Sequence, residues 1–358
     1  MSRIRHSTRR RHRMAASLAL LVSAAAVAAC GSNQPVKLAA SSPKPTPTKT
    51  AAPTPTPPPT PTPTPKPPIV DGATYTSPAL VQIENLNAAR PESGLQSANV
   101  VYEYSAEGGI GRFTAVYFAA PAGQVGPVRS ARLISPVLTS QYGGVLVYSG
   151  SSQYVFGRLD SQNTPRFDET SAAGGLFRVS SRYAPHNLYT DGGRVDTMVH
   201  KANRPAVNYT LWARGGAAAG GVPVAGFVAP VSPSERPSYD WHPELGGWTR
   251  TEPDTGIFVD ANGGKPVVAP TVVVMQVPAA INPADIESGC CTAGWEYTMT
   301  GSGPAQVFTG GQMYNATWTQ PDAGGPPQFS VAGGGAAPVA PGLVWIAVVP
   351  AGQAAPTR

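Results

Sequence analysis

A chain of 358 residues with 26 basic and 20 acidic side chains invites a polyanion-binding reading until the excess is located. Arg3, Arg5, Arg9, Arg10, Arg11 and Arg13 meet no acid within residues 1–29 and account for the whole net charge of +6. Four linker lysines precede the first acid, Asp71, so residues 69–358 hold 16 basic against 20 acidic residues, a balance that argues against a nucleic-acid partner.

Residues 1–29 have the three parts of an export signal: the arginine-rich start, an apolar run at 14–29, and small residues before a cut point. The run is short for a membrane span. It ends in VAAC at 27–30, which resembles the lipobox of bacterial lipoproteins, so Cys30 is expected to be the lipidated first residue of the mature chain. The lipid would hold the protein at the cell membrane on its extracytoplasmic side. The other two cysteines, Cys290 and Cys291, are adjacent and supply no disulfide framework, which leaves stability to core size.

Residues 30–68 read as a disordered linker, because its alternating prolines remove backbone donors and fix φ. At polyproline II rise, residues 43–68 reach about 80 Å, the dimension of a stalk. Globular composition begins near Tyr75. Strands are expected at 79–84, 100–106 and 112–119, with a turn after Pro91. A helix follows, with Ser135 as N-cap, Pro136 at the first helical position and Gly143 past its end, and then a buried strand at 144–150. This pattern predicts a mixed α/β N-terminal domain over 69–220. A Gly-, Ala- and Pro-rich passage from Arg214 to about Pro233 marks a boundary. From 234 to 352 the short runs SYDW, GWTRT, TVVVMQV, EYTMT, AQVFT, QMYNATWT, PQFSV and LVWIAVV predict a smaller antiparallel β-rich C-terminal domain, so the fold class is α+β.

The stretch VVYEYSAEGGIGRFTAVYF at 100–118 reads as a hairpin that keeps Glu103, Glu107 and Arg112 among core residues. With GGIG at 108–111 as a four-residue loop, Glu107 faces Arg112 and Tyr104 faces Ala115. Glu103, Ser105, Glu107, Arg112 and Thr114 then share one polar face. Such a face can simply meet water, and a loop one residue longer or shorter would break the register. Glu103 and Glu107 lie about 13 Å apart along a strand, too far for a glycosidase carboxylate pair.

These segments, with VQIENLNAARPESGLQSANV ahead of the hairpin, GPVRSAR at 126–132, RYAPHNLYT at 182–190 and GSGPAQVFTGGQMYNATWTQ in the second half, resemble the DUF3048 family of bacterial lipoproteins. The resemblance spans about 79–350 and implies a two-domain, membrane-anchored extracytoplasmic protein without an assigned activity. The family usually has Asp-Asn where this chain has Glu84-Asn85, and Thr where Gly111 precedes Arg112. Its motifs point to Arg129 and Arg132, in a turn ahead of the helix, as guanidinium groups suited to a carboxylate or phosphate, with loop bracing as the alternative role. His186, between Pro185 and Asn187, is a proton carrier, a donor to a ligand, or a structural histidine.

Nucleophile-elbow, HExxH and phosphate-loop signatures are absent. Ser288-Gly289-Cys290 resembles the L,D-transpeptidase nucleophile motif with one residue too few and no following arginine, so no catalytic residue is assigned. His186, His200 and His242 are widely spaced; no metal site or cofactor is expected, and nothing marks Asp254 or Asp260 as calcium ligands.

The reading is a noncatalytic binding lipoprotein whose recess, lined by Glu103, Glu107, Arg112, Arg129, Arg132 and His186, takes an anionic or zwitterionic envelope ligand such as a peptidoglycan or glycan fragment. One alternative is an envelope hydrolase or transferase using His186 with Glu103 or Glu107. Another is an adaptor that docks an envelope protein through its C-terminal sheet.

Overall fold

The computed structural model describes residues 73–212, 220–286, 292–322 and 324–358. Cys30, the linker and the pair Cys290 and Cys291 lie outside the described residues. Three strands rich in valine and aromatics open the fold: β1 (Ala79–Glu84), β2 (Val100–Ser105) and β3 (Gly111–Tyr117). Every residue in them is buried, because the sheet they form is covered on both faces and no side of a strand meets water. Next come α1 (Ile134–Tyr142), β4 (Val145–Val147), α2 (Gln153–Ser161), β5 (Arg166–Phe167) and α3 (Gly192–Ala202). The second half contributes β6 (Ser238–His242), β7 (Gly247–Glu252), β8 (Thr271–Val277), β9 (Ser302–Thr309), β10 (Gln312–Thr319), β11 (Gln328–Val331) and β12 (Val344–Pro350).

The principal sheet runs β11-β10-β9-β8-β12-β2-β3-β1-β4-β5, with Val222–Pro223 pairing at β10. Its two halves meet where β2 and β12 pair in parallel, from Val100 opposite Val344 to Glu103 opposite Ala347. β2–β3 and β1–β3 are antiparallel, whereas β8–β12, β1–β4 and β4–β5 are parallel, so the sheet is mixed. Sheet dominates, and the described residues include three α-helices, an α+β fold.

α1 and α2 cover one face of this sheet, packing Leu138, Tyr142 and Leu159 with Tyr102, Val273 and Trp318. The opposite face packs Phe113, Phe308 and Trp345 against α3 and a second, five-stranded sheet that includes β6 and β7. Phe227 of that second sheet stacks on Phe308 with ring centroids 3.6 Å apart, and Trp248 Nε1 donates to the Phe308 carbonyl at 3.1 Å. Each such buried large apolar side chain stabilises the fold by about 1.5–3 kcal/mol.

Local signals act as their chemistry dictates. Gly143 adopts φ +59° and ends α1, its N–H reaching Ser140 O at 3.1 Å. The helix begins one residue before Ser135, whose hydroxyl instead accepts from Arg132 N–H at 2.8 Å and tightens the turn that carries that arginine. A hydroxyl from inside the first turn thus fixes the approach to the helix.

Candidate functional site: an arginine cluster on one face of the hairpin

The site starts from the hairpin register, which differs from the one expected of a four-residue loop. The loop is Ala106–Ile110, five residues, with Gly108 at φ +68° and Gly109 at φ +77° and Ala106 N–H bonded to Ile110 O at 2.7 Å. Gly111 is the first residue of β3, and a Cβ there would lie 2.6 Å from Asn85 Nδ2. Tyr104 therefore faces Arg112 and Glu103 faces Phe113. The odd loop length moves Glu103 and Arg112 to opposite sides of the sheet.

Glu103 points into the face shared with the second sheet. Its fully buried carboxylate accepts from Arg250 Nη2 at 2.5 Å, Trp345 Nε1 at 2.8 Å and Tyr239 OH at 3.3 Å. Arg250 also pairs with Glu252 and, at 3.1 Å, with Glu235, and its guanidinium lies 4.9 Å from the Phe258 ring centroid. Arg90 adds a contact of 2.8 Å to Glu252. Burial pushes the Glu235 carboxyl up to about 8, against the pull of Arg250. A proton on Glu235 leaves Glu103 and Glu252 to balance Arg250 and Arg90. Expected as a recess residue, Glu103 is instead saturated by structural partners and belongs to the core.

Arg112 lies on the other face, in register with Glu84 across β1. It is 3% exposed, and its Nε and Nη1 have no hydrogen-bond partner among the described residues. Burial, then repulsion from Arg132 and Arg129, pulls its guanidinium down to about 9, with Glu84 opposing. Beneath it the polar groups bond to one another: Tyr104 OH donates to Gln82 Oε1 at 2.7 Å, and Gln82 Nε2 donates to Thr114 Oγ1 at 2.9 Å.

The loop GPVRSAR brings the other two arginines in. It runs beside β1, with Glu84 N–H on Pro127 O and Arg129 N–H on Gln82 O, both at 3.0 Å. Arg129 Nε sits 3.1 Å from Glu84 Oε1, while His186 Nδ1 shares a hydrogen bond of 2.9 Å with Glu84 Oε2. Arg132 pairs with Glu107. Arg129 and His186 are each 22% exposed at the rim, with Arg112 deeper.

Five of the six anticipated residues, Glu107, Arg112, Arg129, Arg132 and His186, thus fall in one connected cluster, and Glu103 does not. Glu84 is the central carboxylate that the sequence reading left out of its set, although its Glu-Asn motif stood where the family pattern departs. Asp285 is a further member that no local signal marks; it comes from the hairpin of Ala279–Ile286 with Ala293–Tyr297. Its Oδ1 accepts from Ser152 Oγ, the N-cap of α2.

An acid–base pair of His186 with Glu103 is not formed, because Glu103 lies across the sheet and the histidine's partner is Glu84. No group of three or more His, Cys, Asp or Glu side chains among the described residues is placed to hold a metal ion. Asp260 instead accepts backbone N–H groups of Gly94, Gln96 and Asn262, and Asp254 pairs with Arg90. Among the described residues, no helix is long and apolar enough to cross a membrane.

Residues 63–205 match the "Protein of unknown function (DUF3048) N-terminal domain", and residues 227–346 match the corresponding C-terminal domain. The chain is 28% identical over 291 residues to "Putative lipoprotein YerB" of Bacillus subtilis (strain 168), covering 77% of this chain and 82% of that one. The crystal structure of the Bacillus subtilis YerB protein superposes with a TM-score of 0.66 at 25% identity, covering 80% of this chain and 95% of that one. From both domain matches and their order, this chain belongs to the DUF3048 family.

Proposed function

We propose that this protein is a lipid-anchored, extracytoplasmic binding protein without catalytic activity, whose Arg112–Arg129–Arg132 cluster receives the anionic group of a cell-envelope ligand. The observation that carries the reading is Arg112, a buried guanidinium whose Nε and Nη1 have no hydrogen-bond partner among the described residues. Leaving a buried cation uncompensated costs several kcal/mol, and the same sequence satisfies Glu103 three times over on the other face. An anion seated on Arg112 offsets that cost and converts it into affinity. Planar guanidinium groups bind carboxylate and phosphate in two-pronged geometry, which suits the acidic peptides and glycans of peptidoglycan.

The lipid on Cys30 and the stalk of residues 30–68 rest on the sequence pattern and on the name of the Bacillus relative. They would present the cluster to the wall at a distance from the membrane.

The test is calorimetric titration of the full chain in detergent with inorganic phosphate and with soluble muropeptides. The reading predicts saturable binding that weakens at least tenfold in Arg112→Gln and in Arg129→Gln, with the melting temperature of Arg112→Gln not lowered. Absence of any binding, or binding that both variants retain, would refute it.

A further inference from the structure

Among the described residues, the cations Arg112, Arg129 and Arg132 are joined in this cluster by the carboxylates Glu84, Glu107 and Asp285. Among the described residues of this cluster, two have no ion pair, one of each sign. Arg112 is the cationic one. The anionic one is Asp285, 1% exposed, whose Oδ2 has no hydrogen-bond partner among the described residues while Oδ1 is held by the Ser152 hydroxyl.

The two are linked through contacts already described. Arg132, close enough to repel Arg112, pairs with Glu107 Oε2. Glu107 Oε1 and Asp285 Oδ2 both turn toward Gly294, where a Cβ would lie 3.1 Å from the first and 2.0 Å from the second. A side chain at position 294 would press on both carboxylate oxygens, and glycine leaves them that space. Like charges brought together in a buried setting are relieved by a cation between them or by a proton on one of them, and the first is the reading taken here. Arg132 already serves Glu107, and Asp285 Oδ2 has no such partner among the described residues.

We infer that the site takes a zwitterion, with a carboxylate or phosphate on Arg112 and an ammonium group on Asp285 and Glu107. This rests on the anion-binding reading above and narrows its ligand class to molecules that carry both charges, such as free amino acids, peptide termini or aminoalkyl phosphates. A metal ion in the ammonium position would sit beside the Arg132 guanidinium with two carboxylates, which is a poorer match than an ammonium group that donates hydrogen bonds.

Titration of the full chain with two probe sets tests the inference. One set is D-alanine, N-acetyl-D-alanine and D-alaninamide; the other is phosphoethanolamine and inorganic phosphate. In at least one set the zwitterion should bind at least tenfold tighter than its single-charge analogues, and the set that does so identifies the anionic group. Asp285→Asn keeps an acceptor for Ser152 and should erase that preference, while affinity for the single-charge anion stays within about threefold. Gly294→Ala, which pushes a methyl group against Asp285, provides the same readout should Asp285→Asn fail to fold. Equal affinity for the free and N-acetylated amino acid, together with equal affinity for phosphoethanolamine and phosphate, overturns the inference but leaves the anion site standing. Calcium binding that Asp285→Asn abolishes overturns it as well. Failure of every anionic probe, phosphate included, removes the underlying site.

Discussion

The two faces of one hairpin handle buried charge in opposite ways. On the Glu103 face, three donors converge on a carboxylate, and the cation among them, Arg250, is packed between Phe113, Phe258 and Trp345. On the Arg112 face, a buried guanidinium meets two like charges opposed by Glu84, and its Nε and Nη1 make no hydrogen bond among the described residues. Residues next to each other on paired strands thus separate into a finished network and an open one. The finished network ties β2 to β7 and β12 and belongs to stability. The open one holds unspent interaction capacity, which is the ground for proposing it as the binding site.

Breaking the finished side should give the largest effect. Glu103→Ala leaves Arg250 with an uncompensated share of charge and strips Trp345 and Tyr239 of their acceptor, for a loss on the order of 3–5 kcal/mol. Urea denaturation should show the midpoint falling with the slope preserved; a change below about 1 kcal/mol would deny the network its structural role.

Next comes pH. Burial pushes the Glu92 carboxyl from 4.5 up to about 8, and its oxygens have no hydrogen-bond partner among the described residues; Glu235 is raised to about 8 as well. For both acids the folded chain keeps a proton that the unfolded chain releases above about pH 4.5. Stability is therefore full below that pH, falls as pH rises toward 8, and levels off beyond it. Glu92 alone should contribute a loss on the order of 3 kcal/mol between pH 5 and pH 8. Glu92→Gln should flatten the profile, and a melting temperature that instead rises steadily from pH 5 to pH 8 would show the burial argument to be mistaken.

A smaller change of opposite sign is expected on the open side. Arg112→Met removes a desolvated charge and fills similar space, so it should raise stability by about 1–3 kcal/mol while it abolishes binding. Least of all is Glu84→Gln, which keeps the shape of the group that orients Arg129 and His186 but drops its charge. Phosphate affinity should shift by about tenfold or less, with the melting temperature nearly unchanged, as calorimetry and thermal denaturation would show.

Much of the framework was legible because it is written locally. Valine and aromatic runs gave β1 to β4, Gly143 gave the end of α1, and the fold brings the arginines of GPVRSAR and His186 to Glu84 and Glu107. The register was not legible, since four and five loop residues are both compatible with AEGGIG while the faces they produce are opposite. Glu103 was misplaced for that reason, and its partners could not correct the error: Arg250 and Trp345 lie 147 and 242 residues away along the chain. Asp285 was invisible on the same grounds, since it reaches Ser152 over 133 residues and no short motif surrounds it.

The most direct test is the melting temperature of Arg112→Met beside that of the unaltered chain, each measured with and without saturating soluble muropeptides. The variant should melt at or above the unaltered chain when unliganded and show no rise with muropeptides, whereas the unaltered chain should gain several degrees. A variant that melts lower and still gains the same increment would contradict the claim that Arg112 is kept unpaired for a ligand.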